Sequence, residues 1–228
     1  LEDAEALSAS LAELGLRPGD AVSFQIPNWI EAAVINLAAA MSGFVVNPIV
    51  PIYRDAEVGM MLADCRAKAL FLPATFRNHD YAAMIARLRP TLPDLRHVIF
   101  VRGGGLSVEE LIAAGRKRSF NRPQVDAGGV KMLLYTSGTT GRPKGVLHSH
   151  NTLARAVERC VAHWGIKAGD AIVMPSPVTH ISGYSNGLEL PFLAGTRTVL
   201  MEAWNAKEAL AIIEKHEVAG TVAATPFL

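Results

Sequence analysis

Apolar residues recur along this chain in two alternating rhythms, one with helical spacing and one of short unbroken runs. Leu7, Leu11 and Leu14 stand at helical spacing within residues 4–14, and Gly15 stops that helix. The turn Arg17-Pro18-Gly19-Asp20 leads to a predicted strand at 21–26. Pro27-Asn28 then opens a helix over 29–42, with Gly43 as its stop. A strand at 44–46 ends at Asn47-Pro48. Asp55 is the expected N-cap of a helix running through Cys65. A strand at 68–72, a helix over 81–88 and a strand at 97–101 follow. Ser107 and Glu110 are spaced as a capping box for a short helix. Residues 121–129 form a polar linker to a strand at 130–134, in which four of five residues are apolar. A helix over 151–164 is stopped by Gly165, and Lys167-Ala168-Gly169-Asp170 repeats the earlier turn. The rest reads as a strand at 171–174, an irregular stretch over 175–183, a helix at 186–193, a strand at 197–201, a helix at 206–216 and a strand at 220–223.

Short apolar strands alternating with helices are the pattern of a sheet covered on both faces. The predicted fold class is therefore α/β, with mostly parallel sheets flanked by helices. The expected division is a first α/β subdomain over 1–165 and the start of a second over 166–228. No internal repeat is long enough to indicate a solenoid. Thr225-Pro226-Phe227-Leu228 follows directly on a strand whose neighbours and covering helix would be missing. We therefore expect an N-terminal fragment, and the first residue, Leu1, suggests processing upstream.

Half the residues are hydrophobic and 19% are charged, which suits a soluble chain with a sizeable core. A formal net charge of +1 provides no global field for nucleic acid or an acidic membrane. Cys65 and Cys160 form no C-x-x-C pair, so a reducing cytoplasm is expected. The longest apolar run, 32–41, is interrupted by Asn36 and falls well short of the ~20 residues a membrane span needs. Oligomeric state is not readable from the sequence.

The chemistry concentrates in residues 130–150. The strand there runs into Thr136, Ser137, Gly138, Thr139, Thr140 and Gly141, then reaches Lys144 between Pro143 and Gly145. Glycines at 138, 141 and 145 are expected to take positive φ and let the backbone approach a ligand. Successive N–H groups in such a loop make an anion nest, and short hydroxyls with a mobile ammonium suit phosphate oxygens. The loop is not a Walker A motif, which needs Gly-Lys followed by Ser or Thr, and it lacks G-x-G-x-x-G spacing.

Tyr135 to Val146, YTSGTTGRPKGV, resembles over its whole length the phosphate-binding signature of the adenylate-forming superfamily. That superfamily comprises AMP-dependent synthetases and ligases: acyl-CoA synthetases, adenylation domains of peptide synthetases, and beetle luciferases. Residues 15–27 resemble its Gly-hydrophobic-x-Pro-Gly-Asp turn and strand, and residues 220–228 the strand leading to its acyl pocket. The likeness covers roughly the first half of a family member. It implies an acyl-CoA synthetase-like N-terminal domain lacking the ribose-binding aspartate, the Tyr-Gly-x-Thr-Glu motif that supplies the Mg²⁺-ligating glutamate, and the C-terminal domain with its catalytic lysine. The implied function is an acid–thiol ligase of fatty acid metabolism. It would use ATP, with Mg²⁺, to turn a fatty, alicyclic or aromatic acid into an acyl-adenylate and then a thioester of coenzyme A. An adenylation domain feeding a carrier protein, or a non-catalytic nucleotide-binding module, are the alternatives; the isolated fragment is expected to be inactive.

The resemblance also implies site roles. Thr136, Ser137, Gly138, Thr139, Thr140, Gly141, Lys144 and Gly145 would clasp the β- and γ-phosphates, with Thr136 and Lys144 catalytic. Residues 177–183, Pro-Val-Thr-His-Ile-Ser-Gly, resemble the family's aromatic-or-histidine motif. His180 would then border the carboxylate, and Ser182, Gly183 and Tyr184 would shape the acyl pocket, with Gly183 and Gly187 leaving room for a bulky chain. Residues from this chain are not expected to ligate a metal: His148 and His150 lack a third ligand at suitable spacing and read as residues flanking the loop. Trp29 and Trp164 are expected in the core and Cys160 in buried packing, with Arg116-Lys117-Arg118 at a solvated helix end.

Overall fold

The computed structural model describes residues 1–136 and 143–223. In chain order its elements are α1 (Glu2–Glu13), β1 (Ala21–Phe24), α2 (Ile30–Ser42), β2 (Val45–Pro48), α3 (Asp55–Asp64) and β3 (Ala69–Leu72). A small antiparallel hairpin, β4 (Thr75–Phe76) and β5 (His79–Asp80), precedes α4 (Tyr81–Leu88), β6 (His97–Phe100) and α5 (Val108–Gly115). Then come β7 (Val130–Thr136), β8 (Lys144–Ser149), α6 (His150–Trp164) and β9 (Ala171–Met174). The last third adds α7 (Ile181–Gly183), a π-helical turn (Tyr184–Glu189), α8 (Leu190–Ala194), β10 (Arg197–Leu200), α9 (Ala206–His216) and β11 (Val218–Thr221).

Six strands form one sheet in the order β6-β3-β1-β2-β7-β8, and three form a second in the order β10-β9-β11. Every pair is parallel except β7–β8, whose antiparallel register runs from Val130↔Ser149 to Thr136↔Lys144. The mostly parallel α/β architecture is as predicted. The antiparallel edge strand β8 is a departure: residues 144–149, expected only as the stretch before a helix, pair with β7.

Alternate residues of β3 explain the layering. Ala69 and Phe71 pack with α1, α2 and α5, while Leu70 and Leu72 pack with α3 and α4 on the other face. All four are fully buried, as a sheet covered on both sides requires. Serines fasten the helices on the first face. Ser8 Oγ donates to the carbonyl oxygen of Ala38 at 3.1 Å, and Ser10 Oγ to that of Leu111 at 2.6 Å. Gly115 lets α5 approach α1 so closely that a Cβ there would stand 1.8 Å from the Ala6 carbonyl oxygen.

Several local expectations change. Arg54, not Asp55, caps α3, and the Asp55 carboxylate instead accepts from Arg87 at 2.9 and 3.0 Å. The helix expected over 186–193 is divided between the π turn, which opens earlier at Tyr184, and α8. Trp29 is buried, but Trp164 is 49% exposed, so only one tryptophan joins the core. Cys160 is half-buried. Arg116 and Arg118 do lie at the end of α5, where they pair with Asp3 and Glu13 of α1. Among the described residues, no helix is long and apolar enough to cross a membrane.

Candidate functional site

The strand that delivers the loop is held by its own side chains. Met132 and Leu134 of β7 are buried, whereas Thr136 emerges into solvent at the strand's C-terminal end. Tyr135 points the other way, and its hydroxyl donates to Asp64 Oδ2 at 2.6 Å, tying the strand end to α3. Burial, followed by the bond to Asp64, pushes its phenol far above the ordinary tyrosine range, so it stays a neutral donor.

Opposite Thr136 the chain returns at Lys144, which is exposed. Thr136 Oγ1 donates to the Lys144 carbonyl oxygen at 3.5 Å. The two described ends of the expected phosphate grip thus face each other across one strand pair. Ser137, Gly138, Thr139, Thr140 and Gly141 lie outside the described residues. Gly145 differs from expectation: it sits within β8 without positive φ, and a Cβ there would stand 2.7 Å from Leu133 Cδ1. Its smallness serves side-chain cover across the hairpin.

His180 comes from the second sheet's side of the molecule. It follows β9 and caps α7 in extended geometry, with its ring exposed and Nδ1 3.0 Å from Ser182 Oγ. Asn28, just before α2, positions the segment leading to it. Its Nδ2 donates to the carbonyl oxygens of Met174 and Ser176 at 3.2 and 2.9 Å, and its Oδ1 accepts from the Val178 N–H at 2.8 Å. A buried amide thereby satisfies the Ser176 carbonyl and Val178 N–H of an irregular stretch that has no ladder of its own, and joins Met201 N–H on the Met174 carbonyl at the end of β9.

These ends meet. Thr136, His180, Pro48, Leu134, Tyr135 and Thr179 line one cleft of about 270 Å³. It opens past the carboxyl ends of β2, β7 and β9, where open α/β sheets receive ligands. Among the described residues, Thr179 Oγ1 is buried without a hydrogen-bond partner at the base of this cleft. A larger hollow of about 360 Å³, bordered by Trp164, Ile172 and Val222, contains none of the predicted site residues.

The residues after His180 are placed differently from expectation. Ser182 stays by the His180 ring. Gly183 allows a close backbone approach, since a Cβ there would stand 2.0 Å from the Pro177 carbonyl oxygen. Gly187 packs under Met174 and Val178, so neither glycine opens space for a ligand. Tyr184 is fully buried in the core, and its hydroxyl donates to Asn36 Oδ1 at 2.6 Å. It is a core tyrosine and not part of the cleft wall.

Sequence reasoning missed Asn28 as a positioning residue, and with it Asn36, Lys131 and Glu189, which are buried and bonded to one another. The available signal was a polar residue set inside an apolar run, as at Asn36 and Lys131. His148 lies on β8 opposite Met132, and His150 starts α6. Burial, followed by Lys131, lowers the pKa of His150. Among the described residues, no group of three or more His, Cys, Asp and Glu side chains is placed to hold a metal ion.

Comparison with known proteins agrees with the α/β architecture. The chain is 32% identical over 219 residues to the medium-chain fatty-acid–CoA ligase of Escherichia coli K12, an alignment covering 94% of this chain and 38% of that protein. It superposes on a long-chain-fatty-acid–CoA ligase of Archaeoglobus fulgidus with a TM-score of 0.85 and 25% identity, over 95% of this chain and 42% of that one. With ATP-bound MatB of Rhodopseudomonas palustris the TM-score is 0.82 at 24% identity, over 94% and 41% of the two chains, a likeness of fold. The chain thus spans about two fifths of the length of these relatives. The family described as AMP-binding enzyme matches residues 1–228 without a gap at either end, and the chain belongs to that family.

Proposed function

We propose that this chain is the N-terminal part of an AMP-forming acid–thiol ligase, acting in the cytoplasm, that activates a carboxylic acid with ATP and passes the acyl group to coenzyme A. The observation that carries the reading is the cleft lined by both Thr136, at the end of a first-sheet strand, and His180, on the segment that follows β9 of the second sheet. A substrate carboxylate is already ionised at neutral pH and attacks the α-phosphorus of ATP itself, so no protein nucleophile is needed. The protein's contribution is alignment and stabilisation of charge on departing pyrophosphate.

In this reading Thr136, Lys144 and the loop between them hold the β- and γ-phosphates. Magnesium arrives on those phosphates as part of the nucleotide substrate. His180 presents its ring beside the acid, and the apolar wall of Pro48 and Leu134 favours a fatty or aromatic acid over a strongly polar one. The medium-chain fatty-acid–CoA ligase similarity supports the same substrate class. Both cysteines are free, which suits a reducing compartment.

The test is exchange of labelled pyrophosphate into ATP by the protein at its natural length, with a panel of fatty and aromatic acids. Acid-dependent exchange followed by thioester formation with coenzyme A is expected. Nucleotide binding without any exchange would leave only a binding module, and transfer to a carrier protein in place of coenzyme A would change the acceptor.

A further inference from the structure

Two backbone irregularities face each other across the core, and a buried ion pair joins them. On β7 the register slips by one residue between Val130↔Ser149 and Met132↔His148, leaving Lys131 as an extra residue on the strand. Such a bulge re-aims a side chain. Here Lys131, 8% exposed, turns inward. Its Nζ donates to Glu189 Oε2 at 2.6 Å, and Glu189 is 7% exposed. Glu189 closes the π-helical turn that Tyr184 opens.

The wide turn has a geometric purpose. On an α-helix, residues five apart are rotated by about 140° and face different ways. The i→i+5 bonding of a π turn brings them onto nearly one face. Tyr184 and Glu189 therefore both reach Asn36 of α2: the tyrosine hydroxyl donates to Asn36 Oδ1 at 2.6 Å, and Asn36 Nδ2 donates to Glu189 Oε1 at 2.9 Å. Lys131 and Glu189 gain little stability over apolar residues of the same volume, because burying two charges costs about what their attraction returns. What the arrangement fixes is distance. One end stands on the strand that carries Thr136, and the other on the segment that begins at His180.

We propose that Lys131, Glu189, Asn36 and Tyr184 form a positioning strut that sets the separation of Thr136 and His180 across the cleft. It touches neither ATP nor acid and acts by holding the two reacting anions in register. This inference rests on the acid-activating reading above.

Two variants test it in the natural-length protein. Tyr184→Phe removes one hydroxyl without changing the packing volume. The double variant Lys131→Met/Glu189→Met removes both charges together and keeps a well-filled core. For each, calorimetry with Mg-ATP is expected to show stoichiometry near one and a Kd within about threefold of wild type, while exchange kcat per competent site falls at least tenfold in the double variant and about threefold in Tyr184→Phe. The His180 ring resonance in the ATP-bound protein is expected to shift in both. Wild-type kcat per site with an unmoved His180 resonance in Tyr184→Phe would overturn the strut, even if the double variant does not fold. A wild-type protein without exchange defeats the ligase reading alone, and the His180 resonance then decides the strut.

Discussion

Thr136 and Lys144 stand directly opposite each other where β7 ends and β8 begins, and the Thr136 hydroxyl points at the Lys144 carbonyl oxygen. This pairing means that the two described ends of the loop are held together by a strand ladder. Replacing Lys144 with Ala leaves the ladder intact and removes one charge. We expect acid-dependent pyrophosphate exchange to fall about a hundredfold or more, the scale on which one well-aimed donor contributes roughly 3–4 kcal/mol to a transition state. Unchanged exchange in a folded Lys144→Ala protein would remove this lysine from the reaction.

His180 is exposed and caps a short helix without using its ring to do so. His180→Phe should therefore fold like the wild type and keep ATP affinity, and its effect should fall on the acid. Steady-state kinetics are expected to show KM for the acid changing more than KM for ATP, with His180→Ala worse than His180→Phe. Equal changes in both KM values would argue against a place beside the carboxylate.

Asn28 satisfies the Ser176 carbonyl and the Val178 N–H, which have no ladder partner, and adds a second bond to the Met174 carbonyl, which also accepts from Met201 N–H. Asn28→Ala strands the first two and should cost about 1–3 kcal/mol. For a domain of this size that corresponds to a fall in Tm of about 2–4 °C for each kcal/mol. Exchange should decline beyond what the melting curve explains, because residues 175–180 lose their anchor.

Gly183 stands against the Pro177 carbonyl oxygen, where even one added methyl must displace backbone. Gly183→Ala should lower stability by about 1–3 kcal/mol or more. Gly187→Ala meets only side chains, the nearest at 3.1 Å, and should be milder. Thermal melts of the two variants give the ranking. The reverse order would mean that the backbone at residue 183 yields easily.

Asp94 receives Lys68 at 2.5 Å and Arg66 at 3.1 Å, bonds that hold its carboxyl down to about 2 from an ordinary 3.8. A carboxylate more acidic in the folded state binds fewer protons there, so its contribution is complete above pH 4 and lost as pH falls from about 4 to 2. Wild type should lose more Tm over that window than Asp94→Asn. The gap should narrow with added salt, since the site is open to solvent. Parallel Tm–pH curves for the two proteins would dismiss the effect.

The rhythm of apolar residues was enough to place most elements, because a sheet covered on both faces makes strands such as Ala69–Leu72 uniformly apolar. Glycines at 43 and 165, in left-handed geometry, end α2 and α6 as their positions in the sequence imply. The loop was legible because its chemistry is local: hydroxyls, glycines and a lysine lie within a dozen residues. The long-range polar contacts were not. Asn28 and Val178 are 150 residues apart, and no local pattern announces that they bond. The π turn was hidden for a related reason, since residues 184–189 fit an α-helix until Tyr184 and Glu189 must share Asn36. Trp164 looked like a core residue by type, but it ends an amphipathic helix on its solvent side.

The Asn28 anchor also bears on the order in which the molecule can assemble during synthesis. All six strands of the first sheet have been made by Ser149, before β9 begins at Ala171. The scaffold beneath the loop can therefore set while Asn28 still waits for its partners. The segment leading to the histidine docks onto a surface already built, and its bonds to Asn28, spanning 146 to 150 residues, form at the slow end of folding.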